Sequence, residues 1–254
     1  MVFAEDTRRT AVLFRRFGIA TPLRSLHAHN EASRCEEVRE LLAAGRSCAL
    51  VTDAGAPGVS DPGARIVRSI SDAGFAVRTI PGPSAVTAAA GLSGFSADRF
   101  LFLGFPPRKG RERSEWIAQC ADSRVTVIVF EAPGRVAALL DGWIEQGMAD
   151  RACCVCRELT KLHEEVRRGT VAGLADYYRS VQVRGEVTLV LAAATEDEAA
   201  TGDLEAATRR AVVLIREGLG TRAISARLRE EFGLARNDAY AVALAAGEEE
   251  GEGR

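Results

Sequence analysis

Apolar positions recur at helical spacing over residues 5–18 and 31–44, which predicts two amphipathic helices. From Ser47 onward the pattern changes to short continuous apolar runs separated by amphipathic stretches. Strands are predicted at Ser47–Thr52, Phe75–Ile80 and Phe100–Phe105. Between them, helices are predicted over Asp61–Ala73 and Ser84–Leu92, stopping at Gly74 and near Gly94. Strands at Val125–Phe130, Ala152–Arg157 and Glu186–Ala192 then alternate with helices near 111–121, 134–146 and 171–181. This alternation predicts an α/β fold with mainly parallel sheets covered by helices. The chain opens inside a helical pattern, whereas a doubly wound domain normally opens with a strand.

The polar, basic segment Pro106–Arg113 places a domain boundary near residue 104. It divides a first α/β domain, 1–104, from a second, 105–194. An acidic, Ala/Thr-rich linker follows at Thr195–Gly202. Helical patterns over Leu204–Leu219, Thr221–Phe232 and from about Asn237 to Ala246 predict a small appendage over 203–246, of helix-turn-helix type. Residues 247–254 are expected to be a disordered tail.

Composition narrows the picture. With 254 residues, 47% apolar and 27% charged, the chain can bury a sizeable core. No apolar run approaches the roughly 20 residues of a membrane span. Met1–Thr10 lacks a basic-then-apolar secretory pattern, so a cytoplasmic protein with no membrane partner is expected. Cys35, Cys48 and Cys120 are scattered, while Cys153, Cys154 and Cys156 crowd one predicted strand. That spacing suits neither a disulfide framework nor zinc, and no metal is expected. A net charge of −2 excludes a uniformly basic nucleic-acid binder but leaves room for local patches. Of 33 basic side chains, only Lys109 and Lys161 are lysines.

Chemistry concentrates at strand ends. Cys48–Gly63 runs from a strand into a loop rich in Gly and Pro, with Asp53 at the strand end and Asp61 in the loop. Open parallel sheets bind ligands beyond the carboxyl ends of their strands, where glycines let the backbone approach closely. Thr79–Thr87 ends a strand in a Pro-Gly-Pro turn, and Ser84 suits the N-cap of the next helix. Asp53, Glu131 and Glu158 each place an acid at a strand end. Taken singly, each is equally an ordinary connection, a capped turn or an interface ion pair.

In order along the chain stand Ala4-Glu-Asp-Thr-Arg8, His27-Ala-His-Asn-Glu31, Val51–Pro57, Ser60-Asp-Pro-Gly63 and Pro81-Gly-Pro-Ser-Ala85. Asp98-Arg-Phe100, Gly104-Phe105, Arg157-Glu-Leu-Thr-Lys161 and Arg184-Gly-Glu186 follow. This succession, over about residues 4–192, resembles the tetrapyrrole methylase superfamily, and within it the small-subunit rRNA (cytidine-2′-O)-methyltransferase I family. The resemblance implies two α/β domains with S-adenosyl-L-methionine in the cleft between them, plus a C-terminal helical appendage. Members of that family begin with a strand and an Ala-Thr-Pro-Ile-Gly-Asn type of loop upstream of the Glu-Asp-Thr-Arg segment. The first strand is therefore expected to be absent here. Gly134 also departs from the family, which usually has histidine there.

By the same resemblance, cofactor contacts are expected from Asp53, Gly55, Val59, Ser60, Asp61, Ser84 and Ala85, and from Phe130, Glu131, Leu159, Thr160, Glu186 and Val187. Lys161, Glu158, Glu5 and Asp6 are candidates for orienting or deprotonating a ribose hydroxyl. Arg108, Lys109, Arg111 and Arg113 form a charge cluster suited to RNA phosphates. The implied reaction is 2′-O-methylation of a cytidine in 16S rRNA, on the rRNA or the small ribosomal subunit, by a homodimer. The rivals are methylation of a corrinoid or porphyrin precursor, and RNA binding without turnover.

Overall fold

The computed structural model describes residues 1–194, 196–232, 234 and 236–252. Contrary to the helical opening expected, the chain begins in a strand, β1 (Val2–Ala4), whose three residues are all buried. A run of three is too short for any periodicity to register. β1 is the centre of a parallel sheet, flanked by β2 (Leu23–Ser25) and β3 (Ala49–Val51). Helices α1 (Thr7–Phe17), α2 (Glu31–Ala43) and α3 (Ala64–Asp72) accompany it. Phe3 and Leu26 meet Cys35, Val38, Ile66 and Ile70 in a small core. The predicted strand Phe75–Ile80 is not one. A strand exists through the neighbour that takes its ladder hydrogen bonds, and β3 pairs only with β1.

The second sheet holds β4 (Phe100–Phe102), β5 (Thr126–Glu131), β6 (Ala152–Arg157), β7 (Glu165–Thr170) and β8 (Val187–Leu191), in the order β4-β5-β8-β6-β7. Only the β4–β5 pair is parallel, so the mainly parallel expectation holds for the first sheet and fails for this one. β4, which precedes residue 104, pairs with β5 in this sheet. The charged edge strand β7, Glu-Val-Arg-Arg-Gly-Thr, escaped the hydrophobic pattern because edges are kept polar against mispairing.

Alternation along the strands divides the core. Val127, Val129, Cys153, Val155, Leu189 and Leu191 face α5 (Arg111–Ala121), α6 (Val136–Glu145) and α7 (Val171–Ser180). Ile128, Cys154, Cys156 and Val190 face α4 (Ala85–Ser93). Thus α4 follows the first sheet in sequence but packs beneath the second. All six cysteines are free thiols.

Three helices close the chain: α8 (Glu196–Arg216), α9 (Thr221–Phe232) and α10 (Arg236–Glu252). They share a core of their own that includes Ala211, Leu214, Ile224, Leu228 and Val242. The expected linker lies within α8 from Glu196 on, and α10 continues to Glu252 through the segment expected to be disordered. Both segments are rich in Ala and Glu, strong helix formers that a polarity argument reads as loop. Thr195, Gly253 and Arg254 lie outside the described residues.

Candidate active site

A cavity of about 360 Å³ opens beyond the carboxyl ends of β1, β3 and β5. β8 runs antiparallel to β5, so its first residues, Val187 and Thr188, lie beside Glu131 and Phe130 at the same end. The first domain supplies Glu5 and Arg9 from the β1–α1 region, and Asp53, Gly55, Val59, Ser60 and Asp61 from the β3–α3 loop. Ser84 and Ala85, at the start of α4, complete that wall.

The β3–α3 loop is held tightly. Gly63 sits at φ +139°, and a Cβ there would lie 2.7 Å from Leu50 Cδ2, so no other residue fits without displacement. The Gly63 and Arg65 amides both donate to Glu31 Oε1, at 3.0 Å each, so Glu31 caps α3 from a distance in sequence. Asn30 accepts from the His27 amide and donates to the Ser25 carbonyl. The His-Ala-His-Asn-Glu segment is therefore a brace for this loop rather than part of its lining.

The loop's acids converge. Thr52 Oγ1 lies 2.6 Å from Glu5 Oε2 and 2.6 Å from Asp61 Oδ2, and Glu5 Oε2 also accepts the Asp53 amide at 3.2 Å. Asp53 is paired with Arg9 at 3.0 Å. Burial raises the Asp61 carboxyl above its ordinary value; the Thr52 hydrogen bond opposes this, and the charges of Glu5, Asp53 and Glu186 add to it.

The opposite wall is aromatic and carries a deeply set acid. Phe105 and Phe130 lie with ring centroids 5.5 Å apart, and Phe102 packs on Phe130 at 4.9 Å. Glu131, at the end of β5, has a fully buried side chain. Its Oε1 takes the Ala132 amide and Arg135 Nη2, both at 2.6 Å, while Oε2 is buried without a hydrogen-bond partner among the described residues. A buried carboxylate oxygen left bare is costly, and a ligand donor would relieve it.

Glu186 lines the cavity, but Glu158, Leu159, Thr160 and Lys161 stand behind it. Lys161 Nζ bridges Glu158 Oε1 (2.8 Å) and Glu186 Oε2 (2.9 Å), and Glu158 Oε1 also takes the Glu186 amide at 2.9 Å. Glu158 and Thr160 adopt positive φ, 50° and 67°, so this turn stores local strain. Gly185 is required against it: a Cβ would fall 2.3 Å from Glu158 Cδ. Leu159 packs into the α4-facing core with Phe130. Asp6 is occupied as the N-cap of α1, accepting the Arg8 amide at 2.8 Å. Its Arg8 partner holds the carboxyl down at about 2.

Of the basic cluster, Arg108 and Lys109 are exposed on the loop that follows the cavity residue Phe105. Arg111 pairs with Glu115 at 2.6 Å, and Arg113 donates to the Pro107 and Ala138 carbonyls at 3.2 Å each. The cavity also uses residues that sequence reasoning passed over: Arg9, Phe105, Pro133, Gly185 and Thr188. Arg9 stands one helical turn beyond Glu5, which was a usable signal. Among the described residues no group of His, Cys, Asp and Glu is arranged to hold a metal ion.

The chain matches the family model of the tetrapyrrole (corrin/porphyrin) methylases over residues 1–175 and belongs to that family. Within it the chain is similar to proteins named ribosomal RNA small subunit methyltransferase I. The one from Synechocystis is 38% identical over 96% of this chain and 88% of its own length. That from Mycobacterium bovis is 44% identical over 76% of this chain and 68% of its own. In Thermotoga maritima the counterpart is 38% identical over 75% of this chain and 85% of its own. Solved structures share the fold at low identity. A cobalt precorrin-4 methyltransferase superposes with TM-score 0.56 at 17% identity, covering 75% of this chain and 82% of the other. A diphthine synthase gives 0.58 at 19% identity, covering 78% and 81%.

Proposed function

We propose that this protein methylates the ribose 2′-hydroxyl of a cytidine in small-subunit (16S) ribosomal RNA, with S-adenosyl-L-methionine as donor. The observation that carries the reading is the cleft's charge. Glu5, Asp53, Asp61, Glu131 and Glu186 line it, against one cation among the described residues, Arg9. Such a lining suits a ligand bearing a sulfonium and an ammonium group, and the Phe105–Phe130 pair offers an apolar face for its purine. When bound, the cofactor supplies an electrophilic methyl group.

The chain's own residues orient and receive. Gly55, Val59 and Ser60 bring backbone close to the ligand, and the start of α4 at Ser84 and Ala85 offers amides to a polar edge. Glu131 Oε2 offers an acceptor that no donor among the described residues uses. Glu5, in the cleft and hydrogen-bonded to Thr52, is placed to accept a hydroxyl proton. Arg108 and Lys109, exposed on the loop that follows Phe105, are the residues to hold RNA phosphates. The relatives' names specify the small-subunit RNA, and the reading extends to action in the cytoplasm as a homodimer.

Calorimetric titration of the cofactor, followed by tritium-methyl transfer to small ribosomal subunits, tests the proposal. Saturable binding and a label recovered in a 2′-O-methylcytidine are expected. Binding without transfer to RNA, but with transfer to a corrinoid or porphyrin precursor, would replace it; no cofactor binding would remove it.

A further inference from the structure

One hydroxyl stands between two carboxylates at the base of the cleft. Thr52 Oγ1 is 2.6 Å from Glu5 Oε2 and 2.6 Å from Asp61 Oδ2. A threonine hydroxyl has one hydrogen to give and lone pairs to receive. It can donate to only one of two ionised carboxylates, and the other contact would then set lone pair against lone pair. Both short contacts are satisfied together only when one carboxyl carries a proton. Glu5 Oε2 already accepts the Asp53 amide, which marks it as the accepting end.

We propose that Asp61 is a neutral carboxylic acid in the resting protein, donating to Thr52 as Thr52 donates to Glu5, so that Glu5 is the ionised, proton-accepting end. The groups facing Asp61 agree. Glu5, Asp53 and Glu186 all present negative charge to it, from the β1–α1 region, from the end of β3 and from the residue before β8. The nearby cation, Arg9, is drawn off by Asp53. Burial and these charges raise the Asp61 carboxyl, against the lowering that a hydrogen bond received from Thr52 exerts. That the cleft faces a ligand rather than merely fastening a loop is indicated separately by Glu131, whose buried Oε2 is unpartnered in a residue lining the same cavity.

The role in turnover rests on the methyl-transfer reading above. As an incoming hydroxyl is consumed, its O–H bond breaks, the oxygen keeps the electron pair, and the proton passes to Glu5. Asp61 is a positioning residue in this scheme. It fixes the direction of the Thr52 hydroxyl and removes one negative charge from the cleft.

Infrared spectroscopy of protein carrying ¹³C-labelled aspartate, near neutral pH and without cofactor or RNA, tests the protonation directly. A protonated-carboxyl C=O band that shifts with the label and vanishes in Asp61→Asn is expected. In Thr52→Val the band should move to higher frequency, as the hydrogen bond is lost. Absence of the band, or its survival in Asp61→Asn, overturns the proposal. Thermal melts confirm that each variant is folded. Because the folded-state value is raised, Asp61's contribution to stability is full below the ordinary carboxylate range and lost as pH rises through the folded value. Asp61→Asn should erase that downward slope; an unchanged slope counts against the proposal. In methyl transfer, Glu5→Gln should lose about 10²–10⁴-fold, and Asp61→Ala more than Asp61→Asn. If the infrared band is Asp61's but no RNA is methylated, the functional reading fails and the proton assignment stands. If RNA is methylated but the band is absent, the functional reading stands and the proton assignment fails.

Discussion

The two sheets that meet at the cleft are built to different standards. The second has five strands, and in three of these, β5, β6 and β8, four or five successive residues are buried, so that both faces are covered. The first has three strands of three residues each, and only β1 is buried throughout. Yet the first carries the denser chemistry: Glu5, Thr52, Asp53 and Asp61 all stem from it. The difference teaches a division of labour. A well-packed sheet supplies a rigid wall of aromatic and backbone surface, while short strands release long, braced loops that hold the polar groups. The elements that bind and move are expected at the low-stability end of a molecule.

The largest effect should break that contrast at the core. Leu189→Ala in β8, fully buried among Val129, Val155 and Leu174, should cost about 2–5 kcal/mol in denaturant unfolding. Leu50→Ala in half-buried β3 should cost only about 1 kcal/mol, yet disturb cofactor binding more, because Leu50 abuts Gly63. Equal costs would remove the difference in stability between the two sheets.

Next in size is the aromatic wall. Phe130→Ala takes away the ring that joins Phe102 to Phe105. About 2 kcal/mol of apolar contact corresponds to a roughly thirtyfold weaker cofactor affinity by calorimetry. Lys161→Ala should be milder, about tenfold in kcat/KM. Its ammonium lies behind the cavity and acts by neutralising Glu158 and Glu186. The loss should therefore appear in the cofactor's KM rather than in kcat. A collapse in kcat alone would put Lys161 on the reacting atoms after all.

What the sequence disclosed divides along the same line. Helices and the long strands were legible because burial writes a period into the chain: Ala152–Arg157 and Arg111–Ala121 have the limits expected of them. The three-residue strands β1 and β2 and the charged β7 carried too little pattern to register. Phe75–Ile80 shows the opposite failure, an apolar run that looks like a strand but lacks a partner. In the site, strand-end acids and glycines were visible as types in places. Glu31 capping α3, and Lys161 standing behind Glu186, depend on contacts between residues far apart in the chain or on a strained turn, which no local pattern encodes.

The smallest expected effect concerns the basic cluster after Phe105, and it separates its four residues from one another. Arg111 and Arg113 already have protein partners, Glu115 and the Pro107 and Ala138 carbonyls, so moving them to phosphate forfeits contacts in hand. Arg108 and Lys109 are exposed on the loop between the cavity residue Phe105 and α5. Each phosphate neutralised on single-stranded RNA contributes about −0.7 to the slope of log affinity against log salt. The double variant Arg108→Ala/Lys109→Ala should therefore flatten that slope by about 1.4, a change worth roughly sevenfold between 50 and 200 mM salt. Cofactor affinity should not move, since neither residue lines the cavity. If Arg111→Ala/Arg113→Ala flattens the slope instead, the Arg111–Glu115 ion pair and the Arg113 hydrogen bonds are released on binding and RNA lies along α5. An unchanged slope in both would shift the RNA path to the arginines of α9, Arg222, Arg227 and Arg229, in the three-helix unit with its separate core.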